Sequence, residues 1–362
     1  MSEEPEPALS EWEAYRRALV LLALGAVAFG SLLAIRGIAA PPRALAATPS
    51  ASPALEVPAP LPSETATTTT PRPRLDQRVE RCGPVTPPGE DHFAAPRELS
   101  MGEIWIPKQG GHDASHGFHV VVHFHAKRAA KRALRPLSDR VALVGVDLGT
   151  LTGHYSKPFD DAEAFRDLRS SIERALQRHT GQPKAHIKRL MLSGWSAGVG
   201  AIPVILKRFS EDIAGVALLD GLHAGWRLDQ PSDLTERSVE ARYLTPVLRY
   251  AQAALRGERW LFVSHSHVPT TGYAPTSVTA DRLLRELGLS RRVVDPGDDD
   301  YGVTSEVRRG SFTLEGRLGA DERAHCAQLV LLADTLAAQL PSPEAPSAPG
   351  GAATPTPSSD AP

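Results

Sequence analysis

Through the middle of the chain, short aliphatic runs alternate with longer segments in which apolar residues recur every three or four positions. Runs at 119–124, 141–146, 189–192, 216–219 and 260–263 have the length and largely continuous hydrophobicity of buried strands, 103–106 reads as an edge strand and 311–314 as a final strand. Val120, Val121 and Val122 form the centre of the 119–124 run. Between these runs the spacing predicts helices. Over 160–178, Phe165, Leu168, Ile172 and Leu176 share one face and the charges lie opposite. Further helices are predicted from the end of the 189–192 strand to 209, over 233–255, over 276–287 and over 324–340. Strands separated by amphipathic helices predict an α/β fold, with a mostly parallel central sheet flanked by helices on both faces.

The two ends follow another pattern. Residues 18–35 are eighteen uncharged, mostly aliphatic positions. As a helix they would cover about 27 Å, close to the ~30 Å hydrocarbon core of a bilayer. Arg16 and Arg17 precede the stretch and Arg36 and Arg43 follow it, so the charge bias is nearly balanced. We read a transmembrane signal-anchor at 18–35 with residues 1–17 in the cytoplasm and the remainder outside. The alternative is a signal peptide cleaved near Ala44-Leu45-Ala46 and a secreted product. Residues 36–80 are rich in Pro, Ala, Ser and Thr, and 341–362 share that character. Such segments bury too little apolar surface to offset their ordering entropy, so both are expected to be disordered. The folded domain is then 81–340.

Charge adds little: Lys plus Arg number 40 against 42 Asp plus Glu, a formal net charge of −2, which argues against a nucleic-acid partner. The basic run from Lys127 to Arg132 reads as a solvated loop or helix face. There are two cysteines, Cys82 at the start of the domain and Cys326 in its last helix. In an oxidising compartment they can form one intramolecular disulfide; otherwise they are two buried thiols.

The candidate chemistry centres on Gly194-Trp195-Ser196-Ala197-Gly198, between a predicted strand and a predicted helix. Glycines two places either side of a serine leave room for a strained strand-to-helix turn that presents the hydroxyl. Two further groups follow at strand ends: Asp220 after 216–219, and His325 between the last strand and the last helix. The order Ser196, Asp220, His325 and the Gly-x-Ser-x-Gly turn resemble the α/β-hydrolase superfamily over roughly 102–340. The resemblance implies a serine hydrolase acting on a small-molecule or polymer ester, less readily an amide, without a cofactor. It implies Ser196 as nucleophile, His325 as base and Asp220 as the acid that orients it. It also implies an oxyanion hole from the Ala197 backbone N–H and a second N–H after strand 119–124, from Ala126 or Lys127. Ala126 stands where the superfamily has a glycine.

Several points stay open in the sequence. The acid often follows the next strand, so Asp281, Asp295 and Asp298 to Asp300 are alternatives to Asp220. His123, His125, Trp195, His223 and His265, with Tyr155 and Trp226, are candidates to line the pocket. His123-x-His125 and His265-x-His267, with His223, also admit a metal-dependent hydrolase using bound hydroxide. A non-catalytic binding domain on the same scaffold is a third reading.

Overall fold

The computed structural model describes residues 74–80, 82–86, 90–227 and 234–340. The expected anchor at 18–35, most of the 36–80 linker and the 341–362 tail lie outside the described residues. Among the described residues no helix is long and apolar enough to cross a membrane. Packing onto the domain begins before residue 81. Leu75 and Val79 are buried, Asp299 accepts the Leu75 and Asp76 backbone N–H at 2.7 and 3.1 Å, and Arg78 pairs with Asp334 at 2.6 Å.

Ten strands form one sheet: β1 (Arg97–Glu98), β2 (Glu103–Trp105), β3 (Gly117–Phe124), β4 (Ala142–Val146), β5 (His186–Trp195), β6 (Ile213–Leu219), β7 (Trp260–His265), β8 (Arg292–Val293), β9 (Val303–Arg309) and β10 (Phe312–Arg317). Their order is β1-β2-β4-β3-β5-β6-β7-β10-β9-β8. The six strands from β4 to β10 run parallel, and both edges are antiparallel. The helices are α1 (Lys127–Ala133), α2 (Thr152–Ser156), α3 (Ala162–Thr180), α4 (Ala201–Phe209), α5 (Thr245–Leu255), α6 (Thr276–Leu287) and α7 (Glu322–Ala337).

Strand side chains alternate between faces, so each central strand feeds two cores. Val120, Val122, Leu190, Leu192, Val216 and Leu218 pack with α3, α4, α5 and α6. Val121, Met191, Ala217 and Leu219 pack on the other face with α1 and α7. This two-sided burial is why the strands read as continuous hydrophobic runs.

One sequence reading is corrected, one strand was missed, and the basic run forms the helix face expected of it. The helix expected over 233–255 is an α-helix only from Thr245; Glu236–Ser238 and Ala241–Leu244 are 3-10 turns. Pro246 is tolerated only in a first turn, and Val239 bridges to Trp226, which holds the preceding segment extended. Strand β9 was not legible as an aliphatic run, because its polar side chains are balanced across the hairpin: Glu306 lies opposite Glu315, and Arg308 pairs with both. The basic run forms α1, with Ala129 and Ala130 buried, Lys127 paired to Glu103 and Lys131 to Asp91.

Strand order locates the site. From β3 the chain moves outward to β4, whereas from β5 it moves the opposite way to β6. The loops leaving the carboxyl ends of β3 and β5 therefore diverge and leave a crevice, where open parallel sheets hold their sites. Phe124-His125-Ala126 and Trp195-Ser196-Ala197 stand at that point.

Candidate active site

Strand β5 ends at Trp195, and Ser196 opens a 3-10 turn, Ser196–Gly200, that leads into α4. Ser196 has φ +52°, a left-handed conformation that a non-glycine residue adopts at a cost of about 1–2 kcal/mol. Two glycines make this turn sterically feasible. A Cβ on Gly194 would stand 2.9 Å from the Val199 nitrogen, and one on Gly198 only 2.1 Å from the Phe124 carbonyl oxygen. Gly198 thus lets the elbow lie directly against the loop leaving β3. Strain and close packing together hold the serine at the sheet's edge, with the start of a helix behind it.

Asp220 follows β6, also with positive φ (+44°), and is 1% exposed. Its carboxylate accepts four hydrogen bonds. Oδ1 receives the Ser266 N–H at 2.9 Å and the Thr276 hydroxyl at 2.6 Å; Oδ2 receives the Ser266 hydroxyl at 2.5 Å and His325 Nδ1 at 2.8 Å. Burial works against its charge, but the donors, His325 first, outweigh it and hold the carboxyl well below the usual carboxylate range. Asp220 is a permanent anion at neutral pH. Among the alternatives, Asp281 pairs with Arg291, Asp295 caps Gly297, and Asp299 binds the 75–76 backbone.

His325 lies in the first turn of α7, which Asp321 caps by accepting the Ala324 N–H at 2.8 Å. With Nδ1 donating to Asp220, Nε2 is left as the basic nitrogen. Trp195, immediately before Ser196, supports the ring from below. The rings are stacked with centroids 4.6 Å apart, and the indole N–H donates to the His325 carbonyl at 3.0 Å. Cys326 is bonded to Cys82, so the segment at the start of the domain is tied to the residue next to this histidine.

The β3 loop bears on the oxyanion donors. His125 and Ala126 both have positive φ, +75° and +58°. The His125 N–H donates to the Val146 carbonyl at 2.9 Å and the Lys127 N–H to the Asp147 carboxylate at 3.2 Å. Among the described residues the Ala126 N–H has no such acceptor, so of the two sequence candidates it is the uncommitted donor. The Ala197 N–H, at the start of the turn, has no intrahelical acceptor either.

The remaining histidines separate into groups. His123 and His265 do not line a pocket: both are interior, because they sit within β3 and β7 rather than beyond them. His123 Nδ1 meets the Ser193 hydroxyl at 3.1 Å, and His265 Nδ1 donates to the Ser266 carbonyl at 3.0 Å. Burial lowers their pKa values to about 3 and about 4. His223, half-buried and edge-on to Tyr273, is lowered to about 4, chiefly by burial. His125 also stacks on Trp195, with centroids 5.2 Å apart, and bonds through Nδ1 to the Tyr155 hydroxyl at 2.8 Å. Tyr155 is buried as a support of that ring rather than a wall, and Trp226 is half-buried beside Val239. Among the described residues no three His, Cys, Asp or Glu side chains are grouped to hold a metal ion.

Sequence reasoning missed Ser266 and Thr276 as holders of Asp220, and Tyr155 as the partner of His125. Ser266 sits where the next strand ends, the place at which a carboxylate was sought, and supplies hydroxyl and amide donors to the acid from β6.

The fold is α/β-hydrolase-like, with a strained serine after β5 and a hydrogen-bonded histidine and aspartate at the starts of α7 and of the loop after β6. No protein-family model matches the chain, and no curated protein matches it in sequence. It is similar to several solved structures at low identity. One is an ester-hydrolase from the metagenome of Lake Arreo complexed with a bipyridine phosphonate derivative: 14% identity, 74% of this chain and 91% of that one, TM-score 0.36. Another is an IroE-like serine hydrolase from Shewanella oneidensis: 15% identity, 65% and 74%, TM-score 0.37. A third is the enterobactin esterase of Shigella flexneri in the presence of enterobactin: 12% identity, 70% and 63%, TM-score 0.40.

Proposed function

We propose that this domain is a serine hydrolase that cleaves a carboxylic ester through an acyl-enzyme. The observation that carries the proposal is the 2.8 Å bond from His325 Nδ1 to a buried, four-times-bonded Asp220, on a histidine stacked against the residue preceding a strained elbow serine. A serine hydroxyl needs a base to take its proton as it attacks. His325 Nε2 takes that proton, and the Asp220 carboxylate stabilises the imidazolium and fixes the tautomer. As Ser196 Oγ bonds to the acyl carbon, the carbonyl oxygen becomes an anion facing the Ala197 and Ala126 N–H groups. Collapse expels the alkoxide, which leaves as an alcohol with the proton from Nε2. Water, deprotonated by the same nitrogen, then attacks the acyl-enzyme, and release of the acid restores Ser196.

The domain is further placed outside the cytoplasmic membrane, tethered by residues 18–35. The apolar length of that stretch and the Cys82–Cys326 bridge, a bond of oxidising compartments, support this. Labelling with a fluorophosphonate tests the chemistry. Wild type should be labelled and Ser196→Ala should not; equal labelling of the two, or ester hydrolysis that survives Ser196→Ala but not a chelator, would overturn the proposal. Protease added to intact cells should digest the domain, and its full protection would refute the placement.

A further inference from the structure

The stack His125–Trp195–His325 puts a second imidazole beside the elbow, and proton counting settles its tautomer. The Tyr155 hydroxyl has three neighbours: the Gly149 carbonyl at 2.8 Å, the Leu148 N–H at 3.2 Å and His125 Nδ1 at 2.8 Å. Two oxygens at 2.8 Å need a proton between them, and a carbonyl has none, so the single hydroxyl proton is committed to Gly149. The Leu148 N–H takes one lone pair. Nδ1 must therefore donate to the other, and Nε2 carries a lone pair and no proton. The ring is also kept neutral, its pKa lowered to about 4 by burial and by His325.

That nitrogen has no use within the protein. His125 is half-buried, and among the described residues nothing bonds to Nε2; nor is it among the buried side-chain atoms left without a partner, so it is open to solvent. His125 is held in a left-handed conformation at φ +75°, next to the Ala126 N–H. Strain at a residue flanking a proposed oxyanion donor is characteristic of a functional position. His125 and His325 both stack on Trp195, with ring centroids 5.2 and 4.6 Å from it, so His125 stands close to the proposed base.

Resting on the serine-hydrolase reading, we propose that His125 is a specificity residue: its Nε2 accepts a hydrogen bond from a hydroxyl or N–H group on the acyl portion of the substrate. The preferred substrates are then esters of hydroxy acids or acylamino acids rather than of plain alkanoic acids. A site built around a polar partner discriminates against analogues lacking it far more strongly than an apolar pocket does.

The test compares kcat/KM for p-nitrophenyl butanoate, its α-hydroxy and β-hydroxy analogues and p-nitrophenyl N-acetylglycinate, each divided by its rate constant for hydroxide-catalysed hydrolysis. At least one donor-bearing ester should exceed butanoate by about 10-fold or more, the scale of one good hydrogen bond. His125→Phe, which keeps a ring against Trp195 but has no acceptor, should bring that ratio close to one. His125→Gln, which can present a carbonyl oxygen, should retain part of it, and serves also if the Phe variant does not fold. Tyr155→Phe frees the tautomer and should lower the ratio without removing the imidazole. Corrected ratios near one for all pairs in wild type, or a ratio unchanged in the folded His125 variants, refute the specificity role while leaving the hydrolase reading intact. Wild-type protein that hydrolyses none of the four and takes no fluorophosphonate overturns both.

Discussion

The buried histidines should make this domain acid-labile well above the range where carboxylates titrate. His123 is fully buried and His265 is 2% exposed; burial lowers their pKa values from 6.5 to about 3 and about 4. In the unfolded chain both titrate near 6.5. As pH falls below that value the unfolded state takes up two protons that the folded state refuses, so stability rises with pH through this window and is lost on acidification. Each such group contributes at most about 1.4 kcal/mol per pH unit, hence about 3 kcal/mol per unit for the pair and about 4 kcal/mol lost by pH 5. His125 and His223 act in the same direction. Asp220 does not enter this window: its pKa is depressed, so its contribution is complete above the unfolded value near 4 and is lost only below it. A loss of about 4 kcal/mol is a large share of the 5–15 kcal/mol of a typical domain. Urea unfolding followed by tryptophan fluorescence, at constant ionic strength between about pH 7.5 and 5, reads it directly. The midpoint should fall steeply below about pH 6.5, and His265→Gln should show a shallower slope, smaller by up to about 1.4 kcal/mol per pH unit, whatever its stability at neutral pH. A midpoint that stays level down to pH 5 would refute the reasoning.

Asp220→Asn should reduce kcat by about 10³–10⁴-fold, since the amide cannot hold the productive tautomer of His325 or stabilise its charge. It should also cost about 1–3 kcal/mol in thermal or urea unfolding, because the amide nitrogen would face donors; near-wild-type kcat would remove Asp220 from the mechanism. Ala126→Gly should be neutral or stabilising by up to about 1 kcal/mol, as glycine adopts φ +58° without strain, and should keep ester hydrolysis, because the donor is a backbone N–H. Loss of activity in that folded variant would contradict the assignment. Reduction of Cys82–Cys326, or Cys82→Ser, opens a closure spanning 244 residues in sequence and should destabilise the domain by about 2–5 kcal/mol. A urea midpoint unchanged by dithiothreitol would show that the bridge constrains nothing.

Legibility in the sequence followed the range of the interaction that each feature depends on. The central strands and α3 could be read because two-sided burial and one-sided burial each leave a local period, as in Val120–Val122 and in Phe165, Leu168, Ile172 and Leu176. Gly194 and Gly198 could be read because their function, admitting Val199 and Phe124 at distances no Cβ allows, is tied to a five-residue spacing. Strand β9 could not, since its buried Glu306 is paired to Arg308 on its own strand and to Arg292 of β8, and the second meets it only once β8 and β9 have paired. Asp220 was legible as a residue at a strand end, but not the means by which it stays charged. Thr276 and Ser266, 56 and 46 positions away, carry no mark that separates them from any hydroxyl beside a helix start or strand end.

The same limit shapes what the site can recognise. Trp195 read as an elbow residue and a pocket candidate; in the fold both His325 and His125 stack on its indole, 4.6 and 5.2 Å away. The two imidazoles differ because their Nδ1 partners differ. Asp220 is a buried anion that accepts from His325 Nδ1 and leaves Nε2 as that ring's free nitrogen. Tyr155 is a neutral hydroxyl whose own proton is spent on Gly149, so His125 keeps a lone pair without gaining basicity. One of the two rings on the tryptophan is thereby suited to moving a proton and the other to receiving a hydrogen bond. The division rests on which group stands behind each ring, a fact of tertiary structure that no spacing of histidines in the chain contains.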